Sequence, residues 1–199
     1  MNNFERTYLE STETERVMGF HWYQDQHNYL RDMAEHFDVK LDVVCGITAA
    51  LSPMISWQEN LNMTYHVLKF KGRVPSNVKM PGFKINVQKA IKIYRNKEVF
   101  PHLNGPKVTQ FYQNLLNPFD CESVTIDTFM IACYYQADKY GVKKYSTERW
   151  VEFLKSEIRT LSWRYGLLPL QFQAIVWLAY HRIVRSMGSY GSQLNLKVF

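Results

Sequence analysis

Apolar residues recur every three or four positions along most of the chain, which is the spacing of one face of an α-helix. Eight stretches follow this pattern between turn or capping residues, and they cover 12–36, 41–51, 57–71, 83–96, 106–116, 128–140, 147–165 and 170–187. Val124-Thr125-Ile126 has a strand-like composition, but three residues do not make a sheet. The pattern therefore predicts an all-α protein.

Capping residues predict where several of these helices begin. Thr12 and Glu15 have the spacing of a capping box, and Ser56 and Ser146 each precede a periodic stretch as N-cap candidates. The stretch 41–51 is continuously apolar and small, which is typical of a central buried helix. The apolar positions expected to face the core are Val17, Phe20, Trp22, Tyr23, Tyr29, Leu30 and Met33 in the first helix and Ile85, Val87, Ala90, Ile91 and Tyr94 in the fourth.

The length of 199 residues fits one domain. We expect residues 13–187 to form a two-lobed helical bundle with a basic lobe at about 57–123. Residues 1–12 are expected to be a flexible N-terminus, and residues 188–199 a poorly ordered C-terminal tail.

Composition excludes several classes of protein. A hydrophobic content of 46% is typical of a globular chain, no apolar run could cross a bilayer, and the polar, acidic N-terminus is neither a signal nor a transit peptide. Cys45, Cys121 and Cys133 lack the spacing of a disulfide or zinc framework. We therefore expect buried thiols in a reducing, cytoplasmic compartment and no membrane contact.

The distribution of charge along the chain is more informative about binding partners than the net charge of +6. Residues 1–68 hold four basic and ten acidic side chains, whereas residues 69–107 hold ten basic side chains and only Glu98 as an acid. Such a basic block suits a polyanion, although a solvated helix face would explain it equally well.

Two residues with useful chemistry stand at predicted helix starts, Lys107 and Asp127. Gly105-Pro106 is a turn signal, and Pro106 suits the first position of a helix, so Lys107 lies in the first turn. There the helix dipole disfavours an ammonium and favours the nucleophilic amine. Asp127 follows a β-branched run and precedes an apolar stretch, which indicates an N-cap carboxylate. An amine and a fixed carboxylate together suit chemistry at an anomeric carbon.

Each of these residues also has a structural explanation, because first-turn lysines are commonly solvated and an aspartate at this place is explained by capping. The two helices are consecutive, and the loop 117–123, at about 3.3 Å per residue, is long enough to return the chain so that both helix starts lie close together. The sequence therefore favours a shared pocket and leaves the structural explanation open.

The chain resembles the helix–hairpin–helix DNA glycosylases, the superfamily of endonuclease III and the oxoguanine glycosylases. The matching stretches are Gly105-Pro106-Lys107-Val108 for the second half of the hairpin, Thr125-Ile126-Asp127-Thr128 for the aspartate segment, residues 47–54 with Trp57 and Asn60 for the buried helix and the turn beside the lesion, and residues 174–182 for the late apolar helix. They follow one another in the family's order and span roughly residues 40–187.

Several positions depart from the family's pattern. Leu103 or Asn104 stands near the place of the hairpin's first glycine, and Phe129 replaces the usual histidine after the aspartate segment. No four-cysteine cluster follows, which excludes an iron–sulfur centre. Met54 stands where relatives place a glutamine wedge, and an apolar wedge can do the same work. These departures resemble a divergent phage-type branch, some of whose members are thought to act in thymine hypermodification.

The resemblance implies an enzyme that cleaves the N-glycosidic bond of a modified or damaged base flipped out of double-stranded DNA. Asp127 would stabilise the oxocarbenium-like sugar, and Lys107 would form a Schiff base at C1′ that permits strand cleavage. If water attacks instead, only the base is released. No metal or other cofactor is expected, and the resemblance implies a monomer in the cytoplasm of a bacterium or a phage-infected host. The residues implied in substrate and DNA binding are Met54, Trp57, Gly105, Pro106, Tyr23, Phe129, Lys84 and Lys89.

A flipped base needs aromatic walls. The candidates, each of which core packing also explains, are Trp22, Tyr23, Trp57, Phe129 and Trp163. Gln171 and Gln173, at the start of the last helix, are candidates for hydrogen bonds to a base edge or for ordinary surface.

Two other functions remain open on the sequence. One is a transferase that remakes a modified thymine in phage DNA on the same scaffold, and its product would be an altered but intact base. The other is a helical DNA-binding protein without catalysis, in which Lys107 and Asp127 are structural and binding is steeply salt-dependent.

Overall fold

A computed structural model describes residues 1–100, 102–137 and 139–186, and for residues 139 and 140 only the backbone. Within these ranges the chain forms ten α-helices and no β-strand, so the prediction of an all-α protein is confirmed. None of the helices in this part of the chain is long and apolar enough to cross a membrane. The predicted C-terminal tail, residues 188–199, lies outside the described residues.

The chain forms two compact units. The first unit joins Met1–Gln24 to the described residues from Pro118 onward, and the second unit spans Asp25–Asn117. The second unit thus covers more of the chain than the basic lobe expected at 57–123.

Helix α10 is central to the first unit. The helices of this unit are α1 (Asn3–Leu9), the first part of α2 (Glu13–Phe37), α7 (Thr128–Tyr135), α8 (Lys139–Lys144), α9 (Glu148–Arg164) and α10 (Pro169–Ser186). Helix α10 packs against α1, α7 and α9, and Phe172 on it is fully buried. Gly19 of α2 crosses α10 so closely that a Cβ there would lie 2.6 Å from the backbone nitrogen of Ile175.

The first residues of the chain, expected to be a flexible terminus, form helix α1. Asn2 caps it by accepting a hydrogen bond from the N–H of Glu5 at 3.0 Å, and Phe4 is fully buried. The side chain of Asn3 donates to the backbone carbonyl of Tyr134. Burial of Phe4 and these hydrogen bonds offset the conformational entropy that would otherwise leave a terminus disordered.

Helix α3 is the centre of the second unit. The unit contains the rest of α2, α3 (Leu41–Leu51), α4 (Trp57–Lys69), α5 (Lys84–Asn96) and α6 (Pro106–Leu116). Helix α3 packs against α4, α5 and α6, and every residue from Val43 to Leu51 is buried, as its composition predicts. The Asn60 amide donates to the carbonyl of Thr48, which ties α4 to α3 in the core.

Several predicted boundaries are confirmed by the capping geometry. The N–H of Thr12 donates to the carboxylate of Glu15, and the N–H of Glu15 donates to the hydroxyl of Thr12. Ser56 and Glu59 form a second capping box at the start of α4.

Two predicted boundaries are wrong. The helix expected over 128–140 is broken, because Gln136 adopts a left-handed conformation with φ of 50° that ends α7. Ser146 does not cap the next helix, since its hydroxyl donates back to the carbonyl of Val142 and Thr147 occupies the N-cap position.

The expected apolar faces of two helices are also wrong in part. In α2, Val17, Phe20 and Tyr29 are 56%, 42% and 49% exposed, whereas Tyr23, Leu30 and Met33 are buried as expected. In α5, Ile85 is 57% exposed, while Asn86, Ala90 and Ile93 are buried. Both helices bury a stripe narrower than their apolar composition suggests, because their neighbours cover only that stripe.

The cysteines follow the expectation at two of three positions. Cys45 and Cys133 are buried, and burial raises the pKa of each thiol to about 12, which makes both unreactive. Cys121 is exposed, so the expectation that all three thiols are buried is wrong. It lies in the loop before α7, next to the exposed Glu122.

Candidate functional site

Asp127 is the N-cap of α7. Its backbone is extended, with φ of −106° and ψ of −177°, because the buried segment Val124-Thr125-Ile126 leads into the helix without forming a strand. One carboxylate oxygen accepts a hydrogen bond from the backbone N–H of Met130 at 2.9 Å. The prediction of an N-cap carboxylate is therefore confirmed.

The second carboxylate oxygen of Asp127 is held from another helix. The indole Nε1–H of Trp177 in α10 donates to it at 3.0 Å. Two N–H donors thus fix the orientation of the carboxylate, while each oxygen keeps a further lone pair. Asp127 as a residue is half-buried, so part of it is exposed to solvent.

A histidine packs against Trp177, the residue that holds the carboxylate of Asp127. The ring of His181 stacks on Phe129 with centroids 4.5 Å apart and contacts Trp177 at 4.1 Å. Burial, and secondarily the charge of Arg185, lowers the pKa of His181 to about 4 against the opposing effect of Asp127. The imidazole is therefore neutral at physiological pH, and its Nε2 has no hydrogen-bond partner among the described residues.

A buried polar network lies next to this cluster. The hydroxyl of Tyr23 donates to the side-chain oxygen of Gln173 at 2.9 Å, and Thr125 also hydrogen-bonds to Tyr23. Burial raises the pKa of Tyr23, and the negative charge of Asp127 adds to the shift. Gln173 is buried, so it is neither the base-reading nor the surface residue that the sequence suggested. Gln171 is half-buried and its side-chain oxygen accepts the N–H of Leu168, and its contact with a base edge stays a prediction.

Lys107 lies in the first turn of α6, as predicted. Pro106 is the first helical residue, and Gly105 before it has φ of 98°, a conformation that favours glycine. The Lys107 side chain is half-buried. Asp127 belongs to the first unit and Lys107 to the second, and their pairing in one pocket stays a prediction.

The other predicted contact residues of the second unit have varied surroundings. Lys84 is exposed at the first position of α5, and the ammonium of Lys89 donates to the side chain of Asn104. Trp57 donates its indole N–H to Gln26 at 2.8 Å. Met54 is 47% exposed, although its side chain is apolar. Its backbone has φ of 68°, a left-handed conformation that residues other than glycine rarely adopt.

The remaining aromatic candidates lie in the first unit. Tyr23 and Phe129 are each 3% exposed and belong to the core. Trp22 is half-buried, and Trp163 on α9 is 85% exposed. Phe129 shares ring contacts with the tryptophan and the histidine beside Asp127.

Sequence reasoning missed Trp177 and His181 as neighbours of Asp127. Both occur in the apolar stretch 174–182, which the sequence pattern identifies only as a late helix. Their spacing of four residues places them on one helix face, and a tryptophan and a histidine at this spacing in an apolar stretch were the available signal.

Fold and site together define an all-helical protein whose first unit holds a half-buried carboxylate fixed by an indole and flanked by a neutral histidine. The chain belongs to the DUF7178 family, described as a family of unknown function, which it matches over residues 1–184. No curated protein and no solved structure matches the chain.

Proposed function

We propose that the protein is a DNA glycosylase-like enzyme that acts on a flipped, modified or damaged base and cleaves its N-glycosidic bond with Asp127. The observation that carries the proposal is the setting of Asp127. Its carboxylate is fixed by Met130 and Trp177, and the residue is only half-buried, so part of it is exposed to solvent. A carboxylate held in this way is suited to stabilise positive charge that develops on a sugar.

The reaction would begin when the bond between C1′ and the base nitrogen breaks and its electron pair leaves with the base. The carboxylate of Asp127 would stabilise the resulting oxocarbenium-like sugar. A water molecule would then add to C1′ and give one proton to Asp127, which returns it through solvent to the departed base. The products are a free base and an abasic site.

The surroundings of Asp127 support this role. The half-buried indole of Trp177 offers a surface against which a flipped base could stack, and its N–H holds the carboxylate in place. The ring of His181 is neutral and adds no competing positive charge beside the carboxylate.

Lys107 carries a separate part of the proposal. Its amine would add to C1′ in place of water and lose a proton to solvent. The C1′–O4′ bond would then break, which leaves a hydroxyl on C4′ and a protonated imine at C1′. Loss of a C2′ proton would expel the 3′ phosphate and break the strand. The place of Lys107 in the first turn of α6, where the residue is half-buried rather than fully exposed, supports this part of the proposal.

Base release from DNA tests the proposal. Nucleosides and free bases would be measured by mass spectrometry after incubation of the protein with damaged and phage-modified duplexes. We expect a free base with the wild-type protein and none with Asp127→Asn, whose fold and DNA binding should persist because asparagine also caps helices. Base release that survives Asp127→Asn would overturn the mechanism.

One observation favours a function without catalysis. Both carboxylate oxygens of Asp127 already serve protein donors, which gives the residue a complete structural role. In that case, DNA binding would be steeply salt-dependent and no substrate would be changed. An altered but intact thymine in the same assay would instead identify the transferase.

A further inference from the structure

The second unit contains a basic groove that the proposed reaction does not use. It is lined by Lys71 and Arg73 from the turn after α4 and by Tyr94, Arg95 and Lys97 from the end of α5. We refer to these five residues as the basic groove. Four of them carry a positive charge, and no carboxylate lines the groove.

Two backbone features bring these cations together. Gly72 has φ of 69°, and its carbonyl accepts a hydrogen bond from the guanidinium of Arg95 at 2.8 Å, which joins the turn to α5. Lys97 ends α5 in a left-handed conformation with φ of 58°. This places its ammonium 3.6 Å from the centroid of the Tyr94 ring.

The positive charges of the groove are not neutralised by the residues that line it. In the described part of the chain, the side chains of Lys71 and Arg73 form no hydrogen bond or ion pair. Desolvation lowers the pKa of Lys97, although the residue as a whole is exposed. Cations that repel one another in one groove are best explained by an anion that binds among them.

We propose that the basic groove binds phosphate groups of a DNA backbone. Guanidinium and ammonium groups are the usual donors to phosphate, and Arg73 presents a fork that matches two phosphate oxygens. The groove is open rather than enclosed, so an extended polymer can pass through it. Residues 69–107 around it hold ten basic side chains and one acid.

The lining residues argue against an anionic membrane as the ligand. Apolar side chains that enter the lipid strengthen interfacial binding, and among the described residues that line the groove the one such side chain is the half-buried Tyr94, which Lys97 covers. The choice of DNA as the polymer rests on the proposed function, whereas the phosphate chemistry rests on the groove alone.

Matched double variants test the proposal. Lys71→Gln with Arg73→Gln removes two charges from the groove, and Lys143→Gln with Lys144→Gln removes two exposed charges from α8 in the first unit. Binding of the full-length proteins to a fluorescein-labelled duplex would be measured by anisotropy over a range of salt concentrations. Thermal unfolding would show that both variants remain folded.

We expect the groove variant to bind the duplex about tenfold more weakly. The slope of its log affinity against log salt concentration should be shallower by about one for each phosphate that the variant no longer neutralises. The control variant should bind within about twofold of the wild-type protein. Unchanged binding by the groove variant, or an equal weakening in both variants, would overturn the proposal.

Two further measurements exclude other ligands. Saturable binding of inorganic phosphate in calorimetry, without any loss of duplex binding in the groove variant, would assign the groove to a small phosphate compound and overturn the proposal. Binding to phosphatidylserine vesicles in place of the duplex would do the same. Duplex binding that depends on the groove without release of any base would support this inference and contradict only the proposed reaction.

Discussion

Trp177 donates its indole N–H to the carboxylate of Asp127, and this 3.0 Å hydrogen bond joins residues fifty positions apart in the sequence. It fixes the start of α7 to the middle of α10. The same carboxylate accepts the backbone N–H of Met130, so one side chain both begins a helix and connects two helices.

The pair Asp127 and Trp177 allows catalytic and structural roles to be separated. Trp177→Phe removes one hydrogen bond and leaves the charge of Asp127, and we expect it to cost about 1–3 kcal/mol in urea unfolding. Most base release should persist when activity is measured on the folded fraction. Asp127→Asn should abolish it at a similar cost in stability. If the role of Asp127 were purely structural, the two variants would show the same loss of stability and the same effect on base release.

The pH dependence of stability should contain a contribution from His181. Its pKa is about 4 in the folded protein and near 6.5 when exposed, so the unfolded chain binds more protons between these values. Stability from this residue is therefore present above about pH 6.5 and is lost as the pH falls towards 4, by about 3 kcal/mol at most.

His181→Phe provides the comparison, because a phenyl ring can occupy the stack on Phe129 but cannot titrate. Urea unfolding at several pH values would be measured for both proteins. We expect the variant to lose less stability than the wild-type protein on acidification. The carboxylates of Glu5 and Glu15, whose pKa values are lowered by hydrogen bonds from Arg164 and Arg182, titrate equally in both proteins and cancel in the difference. If the free energy of unfolding fell equally with pH in both proteins, this contribution could not be assigned to His181.

Lys107 should be the residue that forms any covalent adduct with DNA. Borohydride reduction in the presence of an abasic duplex should trap the wild-type protein, because an imine is reduced to a stable amine. Lys107→Arg, which keeps the positive charge, should give no adduct, whereas Lys144→Gln should behave as the wild type. The absence of an adduct with the wild-type protein would leave Lys107 as a DNA contact only.

Two buried glycines should respond differently to substitution by alanine. The new Cβ in Gly19→Ala would lie 2.6 Å from a backbone nitrogen of α10, which cannot move without separating the helices. The new Cβ in Gly46→Ala would meet the methyl groups of Val99 at 2.8 and 2.9 Å. We expect a cost of about 3 kcal/mol or more at Gly19 and a smaller one at Gly46.

Double variants provide the control for these glycines. Val99→Ala removes the methyl groups that the new Cβ of Gly46→Ala would contact. The double variant should therefore be nearly as stable as Val99→Ala alone. Ile175→Ala leaves the obstructing backbone in place and should not rescue Gly19→Ala. Free energies of unfolding from urea titrations would decide both comparisons, and rescue at Gly19 would show that the helices can separate at little cost.

Most helix boundaries could be predicted because their causes are local. The capping box of Thr12 and Glu15, the cap at Ser56 and Pro106 at the first position of α6 each act within one turn. The break at Gln136 could not be predicted, since nothing in the local pattern requires a left-handed residue there. The buried stripes of α2 and α5 also depend on which neighbours cover them.

By itself, the sequence determined the all-α class, the buried helix α3, the basic block and the places of Lys107 and Asp127 at helix starts. These features follow from periodicity, capping and charge, which act over a few residues. Only the tertiary structure decided that Trp177 holds Asp127, that His181 stacks beside them and that four cations share one groove. Such contacts join residues that are distant along the chain, and packing between helices, rather than local pattern, brings them together.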